Sequence, residues 1–282
     1  MRNLLKYMAI IVFALASSLA LAQQKTIKMG SMTWEDSRSV ALVTKKFLEK
    51  QGYPVELTVF SEWGIAYAAL QKGDINLFIT ATDFIAADHW NRYKNRLEKI
   101  STAYFGVYQC LVVPSYMEID SIEQLNSVAD QVRGRIIGVE SGSGVMREAE
   151  QAIKAYSLDY QLISGSTAAA VAELRGAMER KQPIVTMLWT PSWMMQTFDV
   201  KFLKDPKGIF APPQAYYWVA RRGFLGDDDR RLRQSIATVH LGIDEVVAIT
   251  GEINAGKTLE EAVDGWWDSH QMRIERWTVM AD

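Results

Sequence analysis

The chain has 282 residues, 49% of them hydrophobic and 23% charged, with a formal net charge of -2. A balance so small and mixed excludes a broad nucleic-acid-binding face, and a single cysteine, Cys110, excludes an intrachain disulfide. The apolar content is ample for one large core or two of ordinary size.

The N-terminus reads as an export signal. Arg2 and Lys6 form a basic n-region, Met8 to Leu15 an apolar h-region, and Ala20-Leu21-Ala22 the A-x-A cleavage pattern. Cleavage after Ala22 is expected to leave a mature periplasmic chain that starts at Gln23. No stretch reaches the ~20 apolar residues of a spanning helix.

Lys25 to Gly30 alternates polar and apolar residues, as a strand does. A helix is predicted from Asp36 to Gln51, with Val40, Val43, Phe47 and Leu48 on one stripe and Gly52 and Pro54 closing it. VELTVF reads as a strand, Ala66 to Lys72 as a short helix closed by Gly73-Asp74, and Asn76 to Thr80 as a strand. The pattern then repeats. Cys110 to Val113 is a strand, Ser121 to Leu125 starts a short helix, and RIIGVE is a strand that enters a helix through a Ser-Gly loop. Asp159 to Ile163 is a strand, Ala168 to Arg180 a helix, and PIVTMLW a strand. AYYWVARRGF is one more strand, and helices with short turns are expected from Asp227 onward. The class is α/β: two units of mixed sheet flanked by helices. Ligands of such sheets bind at the carboxyl ends of strands, so the two units are expected to face one another across a cleft.

Three features carry chemistry. The loop Ser141-Gly142-Ser143-Gly144-Val145 runs straight into a helix, whose free N–H groups suit an anion; an ordinary capped turn has the same pattern. It is neither a nucleophile elbow nor a phosphate loop. Trp189, in LWTPSWMM, ends a buried strand at the ligand-binding end, where an indole face attracts a cation. Asp83, in FITATDF, follows the third strand and is either a counter-charge for a cation or a helix cap. Trp34, Trp63 and Tyr108 stand at comparable strand ends, and Tyr104, Phe105, Tyr216, Tyr217 and Trp218 lie nearby, where core packing is the competing role. His89, His240 and His270 are dispersed, so no metal or cofactor site is predicted.

These segments resemble the glycine betaine/proline betaine/choline-type substrate-binding proteins of ABC transporters. LEKQGYPVELTVFSEWGIAYAALQKGDINLFIT is similar to the family's first lobe, and GRIIGVESGSGVMREAEQAIKAY to its anion-binding segment. KQPIVTMLWTPSWMMQTFDVKFLKDPKG carries its W-x-P-x-W, and VDGWWDSHQMRIERW resembles its C-terminal helix. The resemblance implies a two-lobed type II periplasmic-binding-protein fold, with residues 23–108 and 216–282 in one lobe and 109–215 in the other. It implies a monomer that captures a small quaternary ammonium or zwitterionic solute and delivers it to an ABC permease and its ATPase, without catalysis. Trp189 matches a cage tryptophan, and residues 141–145 match the segment whose N–H groups hold a ligand carboxylate. Two cage walls depart from the family pattern: Thr82-Asp83-Phe84 replaces a Trp-x-Pro, and Ser143 replaces a tryptophan. Trp34, Trp63 and a tyrosine such as Tyr108 are expected to rebuild the cage. The alternatives are a receptor for a different small amine or amino acid that uses Asp83, and a periplasmic sensor or enzyme on the same scaffold.

Overall fold

The computed structural model describes residues 25–226 and 229–281; the export signal read at residues 1–22 lies outside them. Strand β1 (Ile27–Met32) pairs in parallel with β2 (Val55–Phe60) and β3 (Leu77–Thr80). Parallel neighbours need crossovers, and two helices supply them. Helix α1 (Glu35–Lys50) buries Val40, Ala41, Val43, Thr44, Phe47 and Leu48, the spacing of a single apolar stripe. Helix α2 (Trp63–Lys72) ends on Gly73, whose φ of 93° suits glycine. Helix α3 (Ala87–Tyr93), which sequence periodicity does not reveal, follows β3.

Strand β4 (Leu97–Pro114) is 18 residues long. The sequence marks only its last part, the apolar run from Cys110. The first part pairs antiparallel with β9 (Gln214–Arg221), and this ladder has register shifts at Lys99/Ser101, Thr102/Tyr104 and Phe105/Val107. Each shift interrupts the two-residue alternation by which a strand is recognised. From Tyr108 onward β4 pairs with β7 (Thr186–Thr190) and with β8 (Val200–Phe202).

The second unit adds β5 (Arg135–Ile137), α4 (Gly144–Ala155), β6 (Gln161–Ile163), α5 (Thr167–Glu179) and the single turn α6 (Met194–Thr197). The short helix expected at Ser121 is a 3₁₀ segment, Ile122–Val128, whose N-terminus carries a Ser121–Gln124 capping box. The sheet runs β2-β1-β3-β9-β4-β7-β5-β6, with β8 also on β4. After β9 come α7 (Arg230–Thr238), α8 (Ile243–Asn254), α9 (Leu259–Ser269) and α10 (Gln271–Ala281).

Among the described residues there are two hydrophobic cores. One draws on residues from Ile27 to Val107 and again from Tyr216 to Ala281, and the other on residues from Cys110 to Phe210. The chain therefore passes between cores twice, within β4 and just before β9. Gly106 sits at the first passage with φ of 100°. Its carbonyl accepts a hydrogen bond from Thr190 Oγ1 at 2.9 Å, which ties the bend to the end of β7.

Candidate ligand-binding site

A cavity lies where strand ends of both units converge. Trp34 and Asp36 reach it from the turn after β1 and the first turn of α1, and Trp63 from the start of α2. Val107 and Gln109 come from β4, Tyr216 from β9, and Ile85 from the turn after β3. The other unit contributes Val139, Ser143, Gly144 and Val145 between β5 and α4, and Trp189 from the end of β7. A wider opening shares Trp34, Asp36 and Trp189 with this cavity and adds Glu35, Glu140, Arg175 and Trp193.

The rings form a connected wall. The Trp34 and Trp63 centroids are 5.2 Å apart and tilted by 43°, and Trp63 lies 6.3 Å from Tyr216. Tyr216 stacks on Tyr104 at 5.0 Å, which backs the wall from the core. Ring faces so arranged attract a cation through their quadrupoles, more strongly when water is excluded.

Asp36 is the charged member of the cavity lining. It is 4% exposed. Tyr104 Oη donates to its Oδ2 at 2.8 Å, while Oδ1 is buried and accepts no hydrogen bond. Burial pushes its pKa up to about 6, against the opposing pull of Tyr104 and of the N–H groups at the start of α1. A carboxylate oxygen left unpaired in so dry a place is costly unless a positive group faces it.

The opposite side is built from donors. Helix α4 begins at Gly144, and its cap residue Ser143 makes no side-chain cap bond. Ser143 Oγ is buried without a partner. The first-turn N–H groups of a helix have no intrahelical acceptor, so Ser143, Gly144 and Val145 present a site for an oxygen-bearing group. Space there is tight: a Cβ on Gly144 would lie 2.7 Å from Ile85 Cγ2 and 3.3 Å from Gln109 Nε2.

Trp189, Trp34, Trp63, Ser143, Gly144 and Val145 are thus brought together. Ser141 and Gly142 line a neighbouring pocket with Glu62, His89 and Arg147 instead, and a Cβ on Gly142 would strike the Glu62 carboxylate. Asp83 is not among the cavity residues. It faces outward, where Lys99 Nζ bonds its Oδ1 at 2.8 Å and Tyr217 Oη its Oδ2 at 3.0 Å. Its counter-charge is already met, and these bonds hold its carboxyl below the usual range despite some burial. Tyr108 packs edge-on against Phe202 at 5.0 Å, on the far side of β4 from its neighbour Gln109. Tyr216 takes the tyrosine's place in the lining.

Sequence reasoning did not single out Asp36 or Gln109. For Asp36 the available signal was an acid two residues beyond Trp34, at the carboxyl end of β1, where ligands of such sheets bind. For Gln109 it was a lone amide within the apolar run VYQCLVV.

Comparison with known proteins bears on the family and the fold. The chain is 34% identical over 154 residues to the glycine betaine/carnitine transport binding protein GbuC of Listeria monocytogenes, covering 54% of this chain and 51% of that protein. It therefore spans about half the length of that curated relative. The structure superposes on lactococcal OpuAC, solved in a closed conformation complexed with glycine betaine, with a TM-score of 0.83 and 25% identity. That match covers 90% of this chain and 99% of the other. An ABC-transporter choline binding protein solved with choline shares the fold, with a TM-score of 0.80 at 20% identity over 89% of this chain and 91% of that one. The family model for the substrate binding domain of ABC-type glycine betaine transport systems matches residues 25–269. The chain belongs to that family, and its fold is the two-lobed type II periplasmic-binding-protein fold.

Proposed function

We propose that this protein captures a small quaternary ammonium compound, of the choline or betaine kind, and hands it to an ABC permease with its ATPase. The carrying observation is one cavity that combines three indoles, a tyrosine and a buried carboxylate oxygen without a partner. A quaternary nitrogen donates no N–H bond, so ring faces and one nearby negative charge are what can hold it. Trp34, Trp63, Trp189 and Tyr216 are the cage, and Asp36 is the counter-charge. The Ser143–Val145 turn receives the oxygen-bearing end of the ligand.

The lobes are residues 23–108 with 216–282, and residues 109–215, hinged where β4 and β9 pass between the cores. The protein acts in the periplasm after loss of residues 1–22. Among the described residues no helix is long and apolar enough to cross a membrane. Its role is binding, without chemistry on the ligand.

Titration calorimetry with tetramethylammonium, choline, glycine betaine, carnitine and ethanolamine tests this reading. Saturable one-site binding of at least one quaternary compound is expected, with ethanolamine much weaker. Trp189→Ala should weaken binding about tenfold or more. Failure of every quaternary compound to bind, or tighter binding of ethanolamine, would overturn the reading.

A further inference from the structure

Gln109 and Glu148 form a part-buried, hydrogen-bonded pair beside the cavity. Gln109 stands on β4, 7% exposed, and lines the cavity. Its Nε2 donates to Glu148 Oε2 at 2.7 Å. Glu148 stands one turn into α4, and its Oε1 accepts from the Ala211 N–H at 3.4 Å. An ionised carboxylate only accepts hydrogen bonds. It therefore fixes the amide with nitrogen toward Glu148, and among the described residues no group bonds Gln109 Oε1. That leaves Oε1 as the free acceptor of a side chain that lines the cavity.

We propose that Gln109 is a specificity-determining residue that reads the non-cationic end of the ligand, and that the protonation state of Glu148 decides whether it presents an acceptor or a donor. This rests on the reading of the cavity as a quaternary ammonium site. With Glu148 ionised, Gln109 Oε1 accepts from an alcohol O–H and repels a carboxylate. With Glu148 protonated, the acid O–H donates to Oε1 once the amide turns over, and the NH₂ group then faces the ligand and suits a carboxylate. Amino alcohols are favoured in the first state and amino acids such as betaines gain in the second.

The surroundings of Glu148 place this change in an accessible range. Burial pushes its pKa up to about 7, opposed by the bonds from Gln109 and the Ala211 N–H and by the Arg147 charge, and assisted by Asp205. Tyr108 and Cys110, on β4, also feel Glu148, and burial is the main cause that holds both well above their usual values, in un-ionised form. Arg147 and Asp205 are thus the charged neighbours, and their signs oppose one another.

The test is the ratio of choline to glycine betaine affinity, measured by calorimetry on the mature chain at about pH 8 and pH 5.5. Protonation of Asp36 acts on the cationic end that both ligands share, so it largely cancels in the ratio. A single hydrogen bond exchanged for a repulsion is expected to move the ratio about tenfold toward betaine on acidification. In Glu148→Gln the ratio should become independent of pH. In Gln109→Leu, which needs no titrating partner, choline should lose affinity more than betaine at pH 8. If both ligands bind but the wild-type ratio is constant, or moves equally in Glu148→Gln, the inference is overturned and the site reading stands. If neither ligand binds the wild type, the site reading fails and takes the inference with it.

Discussion

Among the described residues Asp36 is hydrogen-bonded by one side chain, that of Tyr104, through Oδ2. Its folded pKa of about 6 lies above the unfolded value, so the folded chain binds more protons than the unfolded chain between about pH 4 and 6. The favourable contribution of the protonated carboxyl is complete at low pH and is lost as pH rises through about 6. Two consequences follow for Asp36→Asn. The ligand-free variant is expected to melt a few degrees higher than wild type near pH 7.5, by calorimetric scanning. Its affinity for quaternary ligands is expected to fall about tenfold or more, because the counter-charge is gone. Wild-type affinity for all quaternary ligands should rise between about pH 5 and 7 with proton release on binding, and that shared dependence should vanish in the variant. Legibility at this scale followed chain position. Trp34 and Trp189 could be read because they end strands, whereas Asp36 resembled an ordinary acid in a first helical turn and Tyr216 an ordinary core ring on β9. Asp83 was misleading because the sequence does not show that Lys99 and Tyr217 already occupy it.

Among the elements, β4 and the turn into α4 shape the site most. The helices α1, α2, α4 and α5 and the parallel strands were legible because their apolar periods are unbroken. The first part of β4 was not, since three register shifts scramble its alternation. Gly106 marks the last of these shifts. A Cβ there would collide with Ile243 at the start of α8, and the φ of 100° is itself unfavourable for alanine. Gly106→Ala is expected to cost about 1–3 kcal/mol of stability, read from urea denaturation. It should also weaken ligand binding, because the Gly106 carbonyl anchors Thr190 beside Trp189. Wild-type stability with unchanged affinity would show that the bend is tolerant and positions nothing.

In the whole molecule, the two units touch through a few polar contacts beside the cavity. Trp193 Nε1 donates to Glu35 Oε2 at 2.9 Å, and Arg147 Nη2 to the Ile85 carbonyl at 2.5 Å. Both contacts join the core that holds β1 to the core that holds β7. Closure of hinged lobes around a ligand is stabilised by such contacts only in the closed state. Trp193→Phe keeps the ring and removes the donor. It is expected to speed ligand release about three- to tenfold with little change in the association rate, by stopped-flow tryptophan fluorescence. An unchanged release rate would mean that the Trp193–Glu35 bond contributes nothing to closure. That two cores exist was legible from the repeated β-α-β pattern. The contacts between them were not, because they pair residues such as Glu35 and Trp193 that are far apart in the chain.

The most direct test of the aromatic and carboxylate site is a crystal structure of the protein with bound choline or glycine betaine. The quaternary nitrogen should lie within about 6 Å of the Trp34, Trp63 and Trp189 ring centroids, on the Oδ1 side of Asp36. A ligand seated instead in the wider opening beside Glu140 and Arg175, or a cation in contact with Asp83, would contradict it.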